Sequence, residues 1–279
     1  RQGRGDLAGA TRIVTALFLA SVAARLLMGG HFASAIDWFL RTVVILGMSL
    51  FFSMVIFLAY MGLEPYVRRL WPESLISWSR LLAGRLKDPL VGRDLLMGAA
   101  AGTFTLLLSR AHTLVPGLLG LPEEALGFGL PEGIAGLRPA VAELLDRLTG
   151  VVGNPLVFLV TLVLLRRLVR RTWLAVGLFV MVSVGIRVLG SPHPVLDAAL
   201  SAVTLSLSFV VLLRVGLLAG IAMWLFDWGA QKILTLKAAA WEGPLALVYG
   251  VTLLAVAAYA AWIALGGRSL LESAEAESS

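Results

Sequence analysis

The chain has no cysteine, which removes disulfides, thiolate metal sites and thiol nucleophiles together. Charge is almost as scarce. Asp, Glu, Lys and Arg make up 14% of the 279 residues, against about 25% in a soluble domain, and such a chain is not read as a soluble enzyme. Catalytic signatures are missing too: there is no HExxH, no P-loop and no nucleophile elbow. The three histidines, His31, His112 and His193, fall at unrelated spacings. They read as wet interfacial groups, with a metal site from His112 and His193 as the minor alternative. No cofactor is identifiable, and the chain itself is expected to be non-enzymatic.

What fills the sequence is apolar surface. Hydrophobic residues account for 59% and mean hydropathy is +0.90. From Thr42 to Leu63 not one side chain is charged. A helix needs about 20 apolar residues to cross a hydrocarbon core of about 30 Å, and lipid leaves no water for unpaired backbone groups, so runs of this kind predict an all-α polytopic transmembrane bundle. Lys and Arg number 23 against 17 Asp and Glu, a net charge of +6. In this setting the excess orients the chain and meets anionic headgroups rather than nucleic acid.

The spans are expected at residues 13–30, 38–62, 90–113, 148–165, 172–189, 198–213, 215–226 and 243–267, about eight in all. The stretch 198–226 is interrupted only by Arg214, so it reads either as two short spans with a tight turn at 214–216 or as one long tilted helix, giving seven. Residues 1–12 form a basic, glycine-rich juxtamembrane linker. The start at Arg1 without Met or a secretory signal implies that residues precede it. The connection 64–93 carries Arg68, Arg69, Arg80, Arg85, Lys87 and Arg93 against Glu64, Glu73 and Asp88. The positive-inside rule therefore places it, and the N-terminus, on the cytoplasmic side of a bacterial inner membrane. A second basic cluster, Arg166, Arg167, Arg170 and Arg171, agrees. Within the first connection Leu75, Trp78 and Leu82 recur at helical spacing after Pro72, predicting a short interfacial amphipathic helix. Residues 114–147 form an acidic outer loop ending in a helix from Pro139 with Glu143, Asp146 and Arg147 on its wet face. The acidic tail 268–279 is expected to be disordered.

Candidate sites are few. Arg68, Arg69, Arg80, Arg85, Lys87 and Arg93 form a candidate anionic-lipid or coupling surface, for which a topology signal alone is the bland equivalent. Arg25 and Arg214 interrupt apolar runs and are candidates for polar contacts inside the bundle. Arg110 and Arg187 sit near outer ends, where long side chains snorkel. Asp227, between Trp224 and Trp228, reads as interfacial rather than as a proton relay. Gly98 with Gly102, and Gly216 with Gly220, are small-xxx-small pairs suited to helix packing.

The connection also carries a family resemblance. Residues 60–69 (YMGLEPYVRR), 71–73 (WPE), 75–85 (LISWSRLLAGR) and 88–94 (DPLVGRD) resemble the C-terminal polytopic membrane region of bacterial receptor-like serine/threonine protein kinases of acidobacterial and gemmatimonad type. Residues 4–6 with Gly9 and Ala10, 213–218 (LRVGLL) and 264–270 (ALGGRSL) fit the same family. Only 60–96 is specific to it, and Leu70 stands where the family often has a third arginine. The chain holds no glycine-rich ATP loop, no HRD and no DFG. The resemblance implies a sensory or anchoring membrane module, with the kinase outside this chain, and it implies protein partners or a homo-oligomer. The alternatives are an accessory or scaffold subunit of a respiratory or photosynthetic assembly and, more weakly, a transporter of a small or lipidic solute.

Overall fold

A computed structural model describes residues 6–28, 34–118, 136–189, 191–234 and 243–266. Within them the regular structure is all helical: α1 (Leu7–Met28), α2 (Ala35–Leu70), a 3-10 turn (Pro72–Leu75), α3 (Ile76–Leu82), α4 (Pro89–Leu118), α5 (Leu137–Val169), α6 (Thr172–Val188), α7 (Pro194–Val210), a π-helical turn (Val211–Val215), α8 (Leu217–Leu234) and α9 (Gly243–Ala264). Six stretches are long and apolar enough to cross a membrane: α1, α2, α4, α5, α7 with its π turn, and α9. The expected tail 268–279, half of the outer loop (119–135), His31 and the His112 side chain lie outside the described residues.

Local chemistry sets the helix starts. Asp6 Oδ1 accepts from Gly9 N at 2.9 Å to open α1, Ser34 Oγ accepts from Asp37 N at 3.1 Å to open α2, and Asp88 Oδ1 accepts from Leu90 N at 3.0 Å to open α4. Each satisfies an N–H that the first turn leaves unpaired. Several bounds differ from the sequence expectation. Helix α1 begins at Leu7, so half of the expected linker is helical. Helix α2 continues eight residues past Gly62, through Pro65 to Leu70, because Glu64 and Arg68 pair one turn apart instead of leaving for water. The expected amphipathic helix from Pro139 and the fourth span fuse into the single 33-residue α5.

The long helices alternate in direction. Serines 21 and 49 meet at 2.9 Å across antiparallel α1 and α2. Helix α8 runs parallel to α4, since Gly98 lies against Ala219 and Ala222 and Gly102 against Met223 and Phe226. Helix α9 returns against both, with Gly92 at Ala260 and Ala264 and Gly229 at Tyr249 and Leu253. The stretch 198–226 is two helices. Gly216 takes φ +138°, a value side-chain-bearing residues avoid, and beyond it Ala219 and Met223 fold back onto Val211 and Leu207. Among the described residues eight helices thus alternate through the bundle, the six above together with the shorter α6 and α8. One end, the connection end, gathers the start of α1, the ends of α2, α5 and α9, and the α7–α8 turn.

Apolar side chains face outward as well as inward: Leu58, Met181 and Leu254 are 63%, 65% and 72% exposed. Lipid is the solvent that such a surface suits. The largest buried cluster lies toward the connection end, where Leu75 and Trp78 of the 3-10 turn and α3 pack with Tyr60, Val67, Val91 and Leu217. The amphipathic helix read from the sequence is therefore present, and its apolar side closes the bundle.

Candidate functional site

The segment 64–93 folds into a platform across the connection end, held by charged groups that bond both to one another and to neighbouring parts of the chain. Glu64, 3% exposed, accepts from Arg68 Nε at 2.7 Å and from the backbone N of Asp6. Arg68 reaches on to Ser79 Oγ of α3 at 3.3 Å. Arg80 Nη1 donates to both oxygens of Asp88, at 2.9 and 2.7 Å, tying α3 to the residue that caps α4. Asp94, 1% exposed, accepts from Arg93 at 2.8 Å and from Ser77 Oγ of α3. Arg12 of α1 donates to the Leu82 carbonyl at 2.6 Å, satisfying a free acceptor at the end of α3. Beneath α3 the Tyr60 hydroxyl and the Trp78 indole N–H are buried together, facing each other without well-aligned hydrogen-bond geometry.

The six basic residues nominated from this segment therefore divide. Arg68, Arg80 and Arg93 spend their donors on the chain's own carboxylates. Arg69 and Arg85 form no ion pair with a described residue, and Lys87 lies 5.8 Å from the Trp262 ring centroid at the end of α9. Tyr259 donates to the Leu86 carbonyl at 3.0 Å, so α9 also docks on the platform. Gly216 belongs to the same assembly: a Cβ there would lie 2.8 Å from the Ser74 carbonyl oxygen.

The other nominations land elsewhere. Arg214 is exposed on the α7–α8 turn rather than buried in a polar contact, because Gly216 reverses the chain there. Arg25 faces Asp146 of α5 at 3.9 Å near the far end. Gly98 and Gly102 seat α4 on α8, where added Cβ atoms would stand 2.3 and 2.4 Å from the Ala219 and Met223 carbonyl oxygens. Gly216 and Gly220 do not share one packing face: the first meets the platform, the second Leu212 and Pro155.

A second polar cluster, in the far half of the bundle, was misplaced by sequence reasoning. Glu143 is not on a wet face. It is 6% exposed, with Lys232 Nζ of α8 at 2.9 Å and Arg147 at 3.7 Å, since the continuous α5 turns this side toward α8 and α9. Asp227 points inward, accepting from Thr105 Oγ1 of α4 and Gln231 Nε2, both at 3.0 Å. Arg110 donates to the Gln231 carbonyl at 3.4 Å, so its outer-end position coincides with a contact inside the bundle. The signal was available: Asp227, Gln231 and Lys232 break an otherwise apolar α8. Their spacing alone does not say which neighbours they face. Among the described residues no group of three or more His, Asp or Glu side chains is placed to hold a metal ion.

Comparison with protein-family models, with curated proteins and with solved structures finds no match.

Proposed function

We propose that this chain is a non-catalytic integral membrane module whose 64–93 platform couples the arrangement of its helices to a protein domain on the cytoplasmic side, as in the membrane region of a bacterial serine/threonine kinase. The observation that carries the reading is that the platform holds the first turn of α1 directly, through Glu64 to Asp6 N and Arg12 to the Leu82 carbonyl. It also binds the capping residue of α4 and the end of α9. A shift of any of these helices in the bilayer must move the point where the chain enters it. The net basic charge of this end supports a cytoplasmic location, and the resemblance of 60–96 supports a kinase as the coupled domain.

The test is the intact mass of the protein purified gently from its native membrane, with its companions identified in the same run. A polypeptide far heavier than 29.7 kDa that yields kinase peptides is the expected result. A polypeptide near that mass, held at fixed stoichiometry by other subunits, overturns the kinase reading in favour of an accessory subunit.

A second reading has one observation in its favour. Asp227 and Glu143 are carboxylates inside an apolar bundle, and ionisable groups in that position often mark ion or proton routes. A transporter would lose flux with Asp227→Asn while remaining folded, whereas the module reading predicts no flux to lose in vesicles.

A further inference from the structure

We propose that the connection end of the α2–α5 seam is a headgroup site for a phospholipid carrying two phosphates, drawn from the surrounding leaflet. The site takes Tyr66, Arg69 and Trp71 from the edge of the platform, but it does not rest on the coupling role proposed for that platform. Helix α5 ends at Val169 with Arg166 and Arg167 in its last turn, and Arg170 and Arg171 follow before α6. Arg69 ends the neighbouring α2. None of these five arginines pairs with a described carboxylate, in contrast to Arg68, Arg80 and Arg93.

Two of the five lie against aromatic rings of α2 and of Trp71, the residue that follows it. The Arg166 guanidinium lies 5.1 Å from the Trp71 ring centroid and that of Arg167 4.3 Å from the Tyr66 ring centroid. A guanidinium held against a ring by its flat face keeps its in-plane N–H fork free for phosphate oxygens, an arrangement that these distances allow. Arg170 adopts φ 60° and donates its N–H to the Arg166 carbonyl at 2.7 Å, so an arginine occupies a left-handed position that suits glycine. Leu58 of α2 and Leu164 of α5 are exposed one turn or more toward the bilayer centre from Tyr66 and Arg167, and a Cβ at Gly62 of α2 would meet nothing within 4 Å. A cationic rim above an apolar flank matches a lipid, with phosphates at the arginines and acyl chains along the helices.

Charge decides the class of lipid. Five unpaired arginines leave a local excess that a zwitterionic headgroup does not offset and that a single phosphate offsets only in small part; two phosphates on one molecule engage both stacked guanidiniums. A bare topology signal needs only positive charge and no aromatic clamps, and this separates the two explanations.

The experiment is native mass spectrometry of the full chain, solubilised from its membrane and offered diphosphatidylglycerol, phosphatidylglycerol or phosphatidylcholine at equal concentration. The wild type is expected to retain diphosphatidylglycerol preferentially. The double variant Arg166→Lys/Arg167→Lys keeps charge and orientation but loses the planar forks, and its retention should fall roughly tenfold. Arg170→Gly suits the backbone, so its thermal stability should match or exceed wild type while lipid retention also falls. Equal retention of the three lipids by the wild type overturns the proposal. So does undiminished diphosphatidylglycerol retention by a folded Arg166→Lys/Arg167→Lys protein.

Discussion

Buried charge makes the strictest demands on single residues here. Asp94 is 1% exposed and its partner Arg93 is 57% exposed, so the pair is anchored from the inside and reached from the outside. Arg93→Ala leaves Asp94 buried with Ser77 as its remaining partner and should cost about 1–3 kcal/mol. Arg85→Ala, which removes no ion pair, should change stability by less than about 0.5 kcal/mol. Thermal unfolding of both variants in one detergent checks the contrast. Trp78 offers a sharper sign. Trp78→Ala opens a cavity under α3 and should cost about 3–5 kcal/mol. Trp78→Phe keeps most of the ring and deletes only an N–H that meets Tyr60 in poor geometry, so it should cost markedly less. At this scale the sequence was a partial guide. The spacing of Leu75, Trp78 and Leu82 disclosed an apolar side, because helical period survives in a single sequence. The burial of Glu143 was not legible, since it depends on which faces of α8 and α9 lie opposite and those contacts are distant in the chain.

Elements are set by close backbone approach more than by large side chains. Gly98 and Gly102 bring α4 onto α8 with carbonyl oxygens of α8 where Cβ atoms would stand. Contacts of this kind drive helix association in lipid, where the hydrophobic effect between helices is lost. Gly98→Leu should destabilise the fold by at least about 1–3 kcal/mol, read as an earlier thermal transition. The same change at Gly177, which has nothing within 4 Å, should be nearly silent. The pair Gly98 and Gly102 was legible because four-residue spacing puts both on one helix face. Gly216 and Gly220 have the same spacing yet different jobs, because φ +138° at Gly216 lies before the start of α8, and a backbone angle leaves no trace in spacing. Likewise Pro65 and Pro155 sit inside α2 and α5, so a proline did not mark an end, although Pro89 and Pro194 did begin helices.

At the scale of the whole molecule, eight alternating helices place the start of α1 and the end of α9 at one end, together with the platform and the arginines of 166–171. The long apolar runs made most of the helices readable in advance, and the basic connections raise the expectation that this end faces the cytoplasm. What the sequence left open, the break within 198–226, is resolved by Val211 and Leu207 packing on Ala219 and Met223. The absence of cysteine makes the arrangement directly measurable. Single substitutions Arg85→Cys and Arg170→Cys at the connection end, and Ile36→Cys and Val195→Cys at the far end, place one thiol each on exposed positions. Labelled with a membrane-impermeant maleimide from either side, the first two should react only from the cytoplasm and the last two only from outside. Reaction of Arg85→Cys and Val195→Cys from the same side would contradict the alternating bundle, and with it the placement of the platform on which the proposed coupling depends.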